Sequence, residues 1–171
     1  MSKDTRTRLL IAGLLATTAL ILSSTLTVPA PPPTPAFTDS EKAHVVRVID
    51  GDTLVAAPDT HIRFIGINAP EIAHGFGSVD QPGGQAAASY VRGLLEGKDI
   101  YLVPEAHGAL LDKYGRSLDY IYLTDGTDVD YSLVLNGWAK AYTRFPFSHR
   151  KEYTAAQKWA RGHKLGVWGT P

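Results

Sequence analysis

The chain of 171 residues contains no cysteine and no excess of charge of either sign. Without cysteine, a disulfide scaffold, a thiolate zinc site and cysteine-based catalysis are excluded. The 17 basic side chains balance 17 acidic ones. Such a neutral total argues against a polyanionic partner, because proteins that bind nucleic acids usually carry a basic excess. The six histidines show no paired spacing typical of a zinc site, so we expect most of them at the surface.

The charges are nevertheless distributed unevenly along the chain. Residues 38–130 carry 7 basic and 15 acidic side chains, whereas residues 137–171 carry 7 basic side chains and 1 acidic one. The basic C-terminal part can attract a phosphate backbone, and a bound cation can supply positive charge in the acidic part. The neutral total therefore does not exclude a nucleic-acid partner.

Long apolar runs are absent except at the N-terminus. Three basic residues precede residues 9–22, which are uncharged and mostly apolar, and this pattern is typical of an export signal. The uncharged stretch continues to Val28, and a run of about 20 residues suffices to cross a bilayer. We therefore expect residues 1–28 to be either a cleaved signal peptide or an N-terminal membrane anchor that acts through residues 9–28. Either alternative predicts an exported protein that is secreted, periplasmic or on the cell surface.

The rest of the chain predicts a proline-rich linker and one α+β domain. Residues 29–42 begin with a run of prolines, which is typical of a stiff, extended linker. Residues 43–169 contain short β-branched segments separated by turn signals, which favour a small barrel with helices packed on it. The expected strands are residues 44–49, 53–57, 61–67, 100–103 and 117–123, and the expected helices are residues 85–95, 131–136 and 148–162.

A first candidate for chemistry is the turn signal at residues 50–53. Asp-Gly alone is usually an ordinary hairpin turn. Asp52, however, lies at the start of a strand beside that turn, where its carboxylate can offer oxygen to a hard cation such as Ca²⁺ or Mg²⁺.

Two further segments carry arginine and glutamate at the ends of strands. Arg63 lies on a strand face that otherwise holds aliphatic residues, and Pro70 fixes the backbone before Glu71 at the exit of the strand. Arg116 opens a later strand after a glycine that permits a tight bend. Each segment alone is better explained as an ordinary loop, but together they suit phosphodiester cleavage. Guanidinium groups match the charge on phosphate oxygens, a carboxylate can orient or activate water, and a cation neutralises further charge.

The sequence resembles the staphylococcal nuclease (thermonuclease) family over roughly residues 43–169. The resembling segments, in the order and spacing of that family, are Val48-Ile49-Asp50-Gly51-Asp52-Thr53, Arg63 through Glu71, Asp112-Lys113-Tyr114-Gly115-Arg116, Gly137-Trp138-Ala139-Lys140-Ala141-Tyr142 and Leu165-Gly166-Val167-Trp168. The resemblance implies a five-stranded OB-fold β-barrel with about three packed α-helices. It also implies a monomeric enzyme that needs Ca²⁺ to hydrolyse DNA and RNA phosphodiesters and leaves 3′-phosphate ends.

The resemblance further implies roles for particular residues. Arg63, Glu71 and Arg116 fall on the family's catalytic arginines and on its water-activating glutamate. Asp52, Asn68 and Ala69 fall on its metal site, where Ala69 contributes its backbone carbonyl. The implied substrate-binding residues are Lys113, Tyr114, Lys140, Tyr142 and Phe145. Either Tyr142 or Phe145 stacks on a base, with simple packing at the barrel edge as the alternative for both.

Two departures from the family pattern concern the metal site. The best-known members have aspartate where this chain has Asn68 and threonine where it has Ala69. An amide oxygen can ligate Ca²⁺, but one formal negative charge is lost. Asn68 therefore supports an alternative hypothesis, a nucleic-acid-binding OB module with weakened catalysis. The joint presence of Arg63, Glu71 and Arg116 argues against it.

Overall fold

The computed structural model describes residues 27–38, 41–73 and 79–169. The strands are β1 (Lys42–Val48), β2 (Thr53–Ala56), β3 (Thr60–Phe64), β4 (Ile67–Asn68), β5 (Asp99–Pro104), β6 (Ser117–Leu123) and β7 (Lys140–Ala141), and the helices are α1 (Gly84–Leu95), α2 (Val129–Leu135) and α3 (Arg150–Gly162). Five strands form a closed barrel in the order β1-β2-β3-β6-β5, and β4 pairs with β7 in a separate two-stranded sheet. The five-stranded barrel and the three helices confirm the predicted fold.

The core fills the inside of the barrel with alternate strand residues. Leu54, Ile62, Phe64, Ile100 and Ile121 are all at most 1% exposed, as expected where side chains alternate across a closed sheet. β3 and β6 run parallel, whereas the other barrel pairs run antiparallel. The parallel pair is decisive for the site, because it brings the beginning of β6 beside the end of β3.

Helix α1 closes one side of the barrel and confirms the predicted helix at residues 85–95. Its buried positions Ala87, Val91 and Leu95 are spaced by four residues and share one face. The helix ends at Leu95, and Gly97 follows with a φ of 75°, a conformation that side chains disfavour.

The strand predicted over residues 61–67 is wrong in its second half. β3 ends at Phe64, Gly66 adopts a φ of 73°, and the chain then pairs with β7 through Ile67 and Asn68. A Cβ on Gly66 would lie 2.5 Å from the Phe147 ring, so this turn requires glycine. The expected alternation of faces therefore stops at Phe64.

Helix α3 begins at Arg150, two residues after the start of the helix predicted over residues 148–162. His149 occupies the N-cap position without a side-chain hydrogen bond. The Ser148 hydroxyl donates to Glu105 instead, and Glu105 also accepts a hydrogen bond from the Tyr120 hydroxyl. Ser148 therefore joins the start of α3 to the barrel rather than capping the helix.

Among the described residues, no helix is long and apolar enough to span a bilayer. The predicted signal or anchor over residues 1–28 lies outside the described residues except for its last two positions. Its role as a signal or as an anchor stays a prediction.

Two carboxylates, Asp128 and Asp130, are buried at the start of α2. Asp128 caps the helix by accepting from the backbone N–H of Tyr131 at 2.8 Å, and it accepts from the Tyr153 hydroxyl. Asp130 is 0% exposed. One of its oxygens accepts from the Ile121 N–H at 3.0 Å, while the other has no hydrogen-bond partner among the described residues. Burial, reinforced by the Asp128 carboxylate, raises the pKa of Asp130 well above its usual value.

We predict that Asp130→Asn stabilises the protein, and more so at pH 8 than at pH 5. A raised pKa in the folded state means that the stability contributed by Asp130 is complete below the unfolded pKa of about 4 and is lost as the pH rises toward the folded pKa. Asparagine removes this loss, and we expect a gain of about 1–3 kcal/mol at pH 8. Urea unfolding at both pH values measures it.

The control for this prediction is Asp125→Asn. Asp125 is exposed, and its hydrogen bonds with Thr127 hold its pKa below the usual value. This variant should therefore gain no stability at pH 8. An equal loss of stability at both pH values in Asp130→Asn would contradict the prediction.

Candidate active site

Asp52 occupies the centre of a polar cluster at one end of the barrel. The backbone N–H of Ile49 donates to the carbonyl of Thr53 at 2.9 Å, which closes the turn between β1 and β2. The Asp52 side chain is only 3% exposed. One of its carboxylate oxygens lies 3.1 Å from Nε of Arg63, and the other accepts from the backbone N–H of Ala69 at 2.6 Å. Asp52 therefore joins β2, β3 and the segment after β4.

Arg63 is held by the backbone that folds around it. Its Nη1 donates to the carbonyl of Phe64 at 2.6 Å, and its Nη2 donates to the carbonyl of Ile67 at 2.8 Å. Nη2 also lies 3.4 Å from Oδ1 of Asn68. These contacts explain why β3 ends at Phe64, since the chain turns so that two carbonyl groups reach one guanidinium. They also bring Asn68 to the edge of the Asp52 cluster.

Glu71 is positioned through its main chain, while its side chain stays exposed. The carbonyl of Glu71 accepts from the backbone N–H of Gln81 at 2.8 Å, and its N–H donates to the Gln81 side chain at 3.3 Å. A Cβ on Gly84 would lie 2.5 Å from the Glu71 carbonyl, so the first residue of α1 packs directly against this backbone. The Glu71 carboxylate thus extends from a fixed backbone, close enough to Asp52 to help raise the pKa of that residue.

Arg116 reaches the same end of the barrel from the start of β6. Asp112 holds it in a fork, with one carboxylate oxygen 2.8 Å from Nε and 2.7 Å from Nη2. The other oxygen of Asp112 accepts from the backbone N–H of Arg116 at 3.0 Å. Partial burial alone would raise the pKa of Asp112, but these hydrogen bonds hold it below its usual value.

Thr53 connects the two arginines. Its hydroxyl donates to Asp52 at 3.2 Å and accepts from Nη1 of Arg116 at 3.4 Å. A continuous polar chain thus runs from Arg63 through Asp52 and Thr53 to Arg116. The sequence motifs predict no role in the site for Thr53 or Asp112. A sequence feature that could have indicated the role of Asp112 is its position four residues before Arg116, with a turn at Gly115 between them.

The donor set around Asp52 is suited to a hard cation. Burial raises the pKa of Asp52 to about 7; the nearby carboxylates of Asp50 and Glu71 add to the rise, and Arg63 opposes it. Carboxylate, amide and carbonyl oxygens are what Ca²⁺ prefers, and a cation would offset the repulsion among the carboxylates. The described residues contain no group of three or more His, Asp or Glu side chains placed to bind a metal, so any cation here also needs the Asn68 amide and the backbone.

The predicted substrate-binding residues lie on two sides of this cluster. Lys113 and Tyr114 flank Arg116, with the Tyr114 ring 72% exposed and 5.4 Å from the Arg116 guanidinium. Tyr114, Gly115 and Arg116 border a depression of about 460 Å³ together with residues 59–61. This depression opens beside Arg116, whereas a larger one, of about 860 Å³, lies between β1 and α1 and contains none of the predicted site residues.

The other three predicted residues lie in and after β7. Lys140 is the strand partner of Asn68, but its ammonium group lies 5.5 Å from the centre of the Trp168 ring. The backbone N–H of Tyr142 donates to the carbonyl of Gly66 at 2.7 Å, which fixes this segment beside the turn after β3. Tyr142 contacts Phe145 edge-on at 6.0 Å, and Phe145 is 60% exposed. The structure thus leaves Phe145 the more accessible ring for stacking.

Comparisons with known proteins agree with this geometry. The sequence profile of the family described as staphylococcal nuclease homologue matches residues 61–170. The chain is 34% identical over 128 residues to the thermonuclease of Staphylococcus intermedius, covering 72% of this chain and 74% of that protein. It is 28% identical over 148 residues to the micrococcal nuclease of Shigella flexneri, covering 80% of this chain and 78% of that protein.

A longer relative contains a region similar to this chain. The endonuclease YhcR of Bacillus subtilis (strain 168) is 32% identical over 148 residues, which cover 80% of this chain but only 12% of that protein. The similarity therefore concerns one region of the Bacillus protein and about three quarters of the two other relatives. Since the profile matches most of the chain and a relative of comparable length is more than 30% identical, the chain belongs to the family of staphylococcal nuclease homologues.

Proposed function

We propose that this protein is an exported nuclease that hydrolyses phosphodiester bonds of DNA, RNA or both. The main support is the polar chain that links Arg63 to Arg116 through Asp52 and Thr53 at one end of the barrel. The names of the related nucleases agree with this function. Export rests on the apolar N-terminal segment of the sequence alone.

In the proposed mechanism, Glu71 orients a water molecule and accepts its proton as the water oxygen attacks phosphorus. The bond from phosphorus to the 5′ oxygen then breaks, the 5′ oxygen takes up a proton from solvent water and leaves as a hydroxyl, and the other fragment keeps a 3′-phosphate end. Arg63 and Arg116 donate hydrogen bonds to the phosphate oxygens, where negative charge accumulates in the transition state. Guanidinium groups held in place by Asp52 and Asp112 need little reorganisation, which favours this electrostatic stabilisation.

We further propose that the residues around Asp52 hold Ca²⁺. Asp52 would supply a carboxylate oxygen, Asn68 its amide oxygen and Ala69 its backbone carbonyl. The bound ion would neutralise phosphate charge and position the phosphate. The support for this proposal is the placement of Ala69 and Asn68 beside the Asp52 carboxylate, through the Ala69 N–H and the shared contact with Arg63.

The proposal is tested with the purified full chain, linear DNA and single-stranded RNA, in Ca²⁺ or in a calcium chelator. We expect cleavage only with Ca²⁺ and products with 3′-phosphate ends. Glu71→Gln should reduce the cleavage rate by about 10²- to 10⁴-fold, since it removes the proton acceptor. Glu152→Gln in α3, far along the chain from the cluster, is the matched control and should keep the rate.

Two outcomes would contradict the proposal. Cleavage that is unaffected by both the chelator and Glu71→Gln would indicate different chemistry or a contaminating enzyme. Binding of DNA without cleavage would favour the alternative, a nucleic-acid-binding OB module, to which Asn68 in the metal site gives its support.

We predict that Asn68→Asp lowers the Ca²⁺ concentration needed for half-maximal activity. The substitution restores a second negative charge next to Asp52 while keeping the size of the side chain. A decrease of about tenfold, equal to ~1.4 kcal/mol, is expected, because ligand charge controls Ca²⁺ affinity. A Ca²⁺ titration of the cleavage rate measures it.

Asn136→Asp is the matched control for this prediction. It adds the same charge at the end of α2, where the side-chain amide donates to the carbonyl of Ser132 at 2.9 Å. The control should leave the Ca²⁺ requirement unchanged. An unchanged requirement in Asn68→Asp as well would show that this position does not contribute to metal affinity.

A further inference from the structure

The proline-rich segment before the barrel is packed on the domain. We call residues 29–38 the proline strap. The Tyr131 hydroxyl donates a hydrogen bond to the carbonyl of Pro29, and the Thr34 hydroxyl donates to the carbonyl of Gly126 at 3.2 Å. The Phe37 ring stacks on Tyr101, with ring centres 4.3 Å apart and planes within 6°. Residues predicted as an extended linker thus contact β5, α2 and the turn between β6 and α2.

The high proline content of the strap favours its docking on the domain. Five of residues 29–35 are proline, so the strap loses little conformational entropy when it becomes ordered. Pro32 is buried, whereas its neighbours Pro31 and Pro33 are exposed. Such one-sided burial is expected when one edge of a stiff segment faces a surface. Phe37 extends the contact, since it also lies 5.2 Å from the ring of Tyr122 in the core.

The strap contacts β6 at the end opposite Arg116. β6 begins next to Arg116 and ends at Leu123, and the six steps of about 3.3 Å between its first and last residues span roughly 20 Å. The strap contacts the far end of this strand, through Tyr122 and the turn at Gly126. The first strap residue, Pro29, contacts Tyr131. Tyr131 lies three residues after Asp128, which forms a β-bridge with Tyr122 near the end of β6.

We propose that Tyr101, Gly126 and Tyr131 form a docking surface for the protein's own proline strap, and that this docking fixes the direction of the N-terminal tether. Val28, which directly precedes the strap, is then held at the end of β6 opposite Arg116. A protein attached through its N-terminal segment would direct the polar cluster around Asp52 away from the attachment point. A long, stiff polyanion would therefore reach the cluster without passing the tether.

The absence of cysteine allows a direct test with single thiols in the full chain, purified in detergent. We expect the thiol of Pro32→Cys to react with a thiol reagent about tenfold or more slowly than that of the matched control Pro33→Cys, because only residue 32 is covered in the docked strap. Adding Phe37→Ala to each variant should make the two rates equal. Equal rates without Phe37→Ala would overturn the docking.

Spin labels at pairs of introduced cysteines test the direction of the tether. Val28 is 56% exposed and can carry the first label. The second label is placed either at Asp125, beside the turn that the strap contacts, or at Ala73, two residues after Glu71. We expect narrow distance distributions, with the distance from 28 to 125 shorter than that from 28 to 73. Broad distributions for both pairs, or the reverse order, would overturn the proposal. Tyr131→Phe, which removes only the hydroxyl, should broaden both distributions while DNA cleavage stays unchanged.

Discussion

Replacing Arg116 with lysine is expected to reduce the turnover of DNA by about 10²- to 10³-fold, nearly as much as replacing it with alanine. Asp112 fixes the guanidinium through Nε and Nη2, and Thr53 contacts Nη1. Lysine keeps the positive charge but cannot make a planar fork, so it cannot both hold Asp112 and face a phosphate in the same way. Initial rates at saturating Ca²⁺ and saturating DNA measure the effect.

A matched control separates this effect from the loss of any arginine. Arg92 in α1 also has an acidic partner, since its Nε lies 3.8 Å from Glu96. It borders the depression between β1 and α1, which contains none of the predicted site residues. Arg92→Lys should keep the wild-type turnover. If Arg116→Lys also kept it, Arg116 would serve only as a charge, and the proposed geometric role would be wrong.

The fold of the site could be predicted only in part from the sequence, because its turns depend on long-range contacts. The strand at residues 117–123 was predicted with the bounds of β6, since its alternation is local. The ending of β3 at Phe64 depends on Arg63, which draws two carbonyl groups of the following turn toward one guanidinium. The pair of β4 and β7 has two residues in each strand and joins segments far apart in sequence, so no local pattern indicates it.

The candidate site, like the fold, could be predicted only in part from the sequence. The positions of Arg63, Glu71 and Arg116 at strand ends were visible as motifs, although their roles stay proposals. The links that hold them could not be predicted, because the hydroxyl of Thr53 gains its role only when the closed barrel places the starts of β2 and β6 on either side of β3. The proline strap illustrates the same limit, since composition indicates its stiffness but not the surface on which it docks.

Replacing Gly137 with alanine is expected to lower the free energy of unfolding by more than about 3 kcal/mol, an exceptional loss for one methyl group. Gly137 follows α2 with a φ of 76°, which alone costs a side chain about 1–2 kcal/mol. A Cβ there would also lie 2.2 Å from the carbonyl oxygen of Leu165. That oxygen belongs to the backbone and cannot rotate away, so the chain itself has to move.

Gly97→Ala separates the two parts of this cost. Gly97 has nearly the same φ, 75°, but a Cβ there would meet nothing within 4 Å. Urea unfolding should therefore show a loss of about 1–2 kcal/mol for Gly97→Ala, from backbone strain alone, and a clearly larger loss for Gly137→Ala. Equal losses would mean that the contact with Leu165 relaxes at little cost.

The larger loss would also have a consequence at the site. The carbonyl of Gly137 accepts from the backbone N–H of Val167 at 2.9 Å, which holds the short 3-10 helix Gly166–Trp168 against the end of α2. Three residues after Gly137, Lys140 pairs with Asn68 while its ammonium group faces Trp168. A backbone shift at Gly137 should therefore displace β7 against β4. We expect Gly137→Ala, but not Gly97→Ala, to raise the Ca²⁺ concentration needed for half-maximal cleavage at a temperature where both variants remain folded.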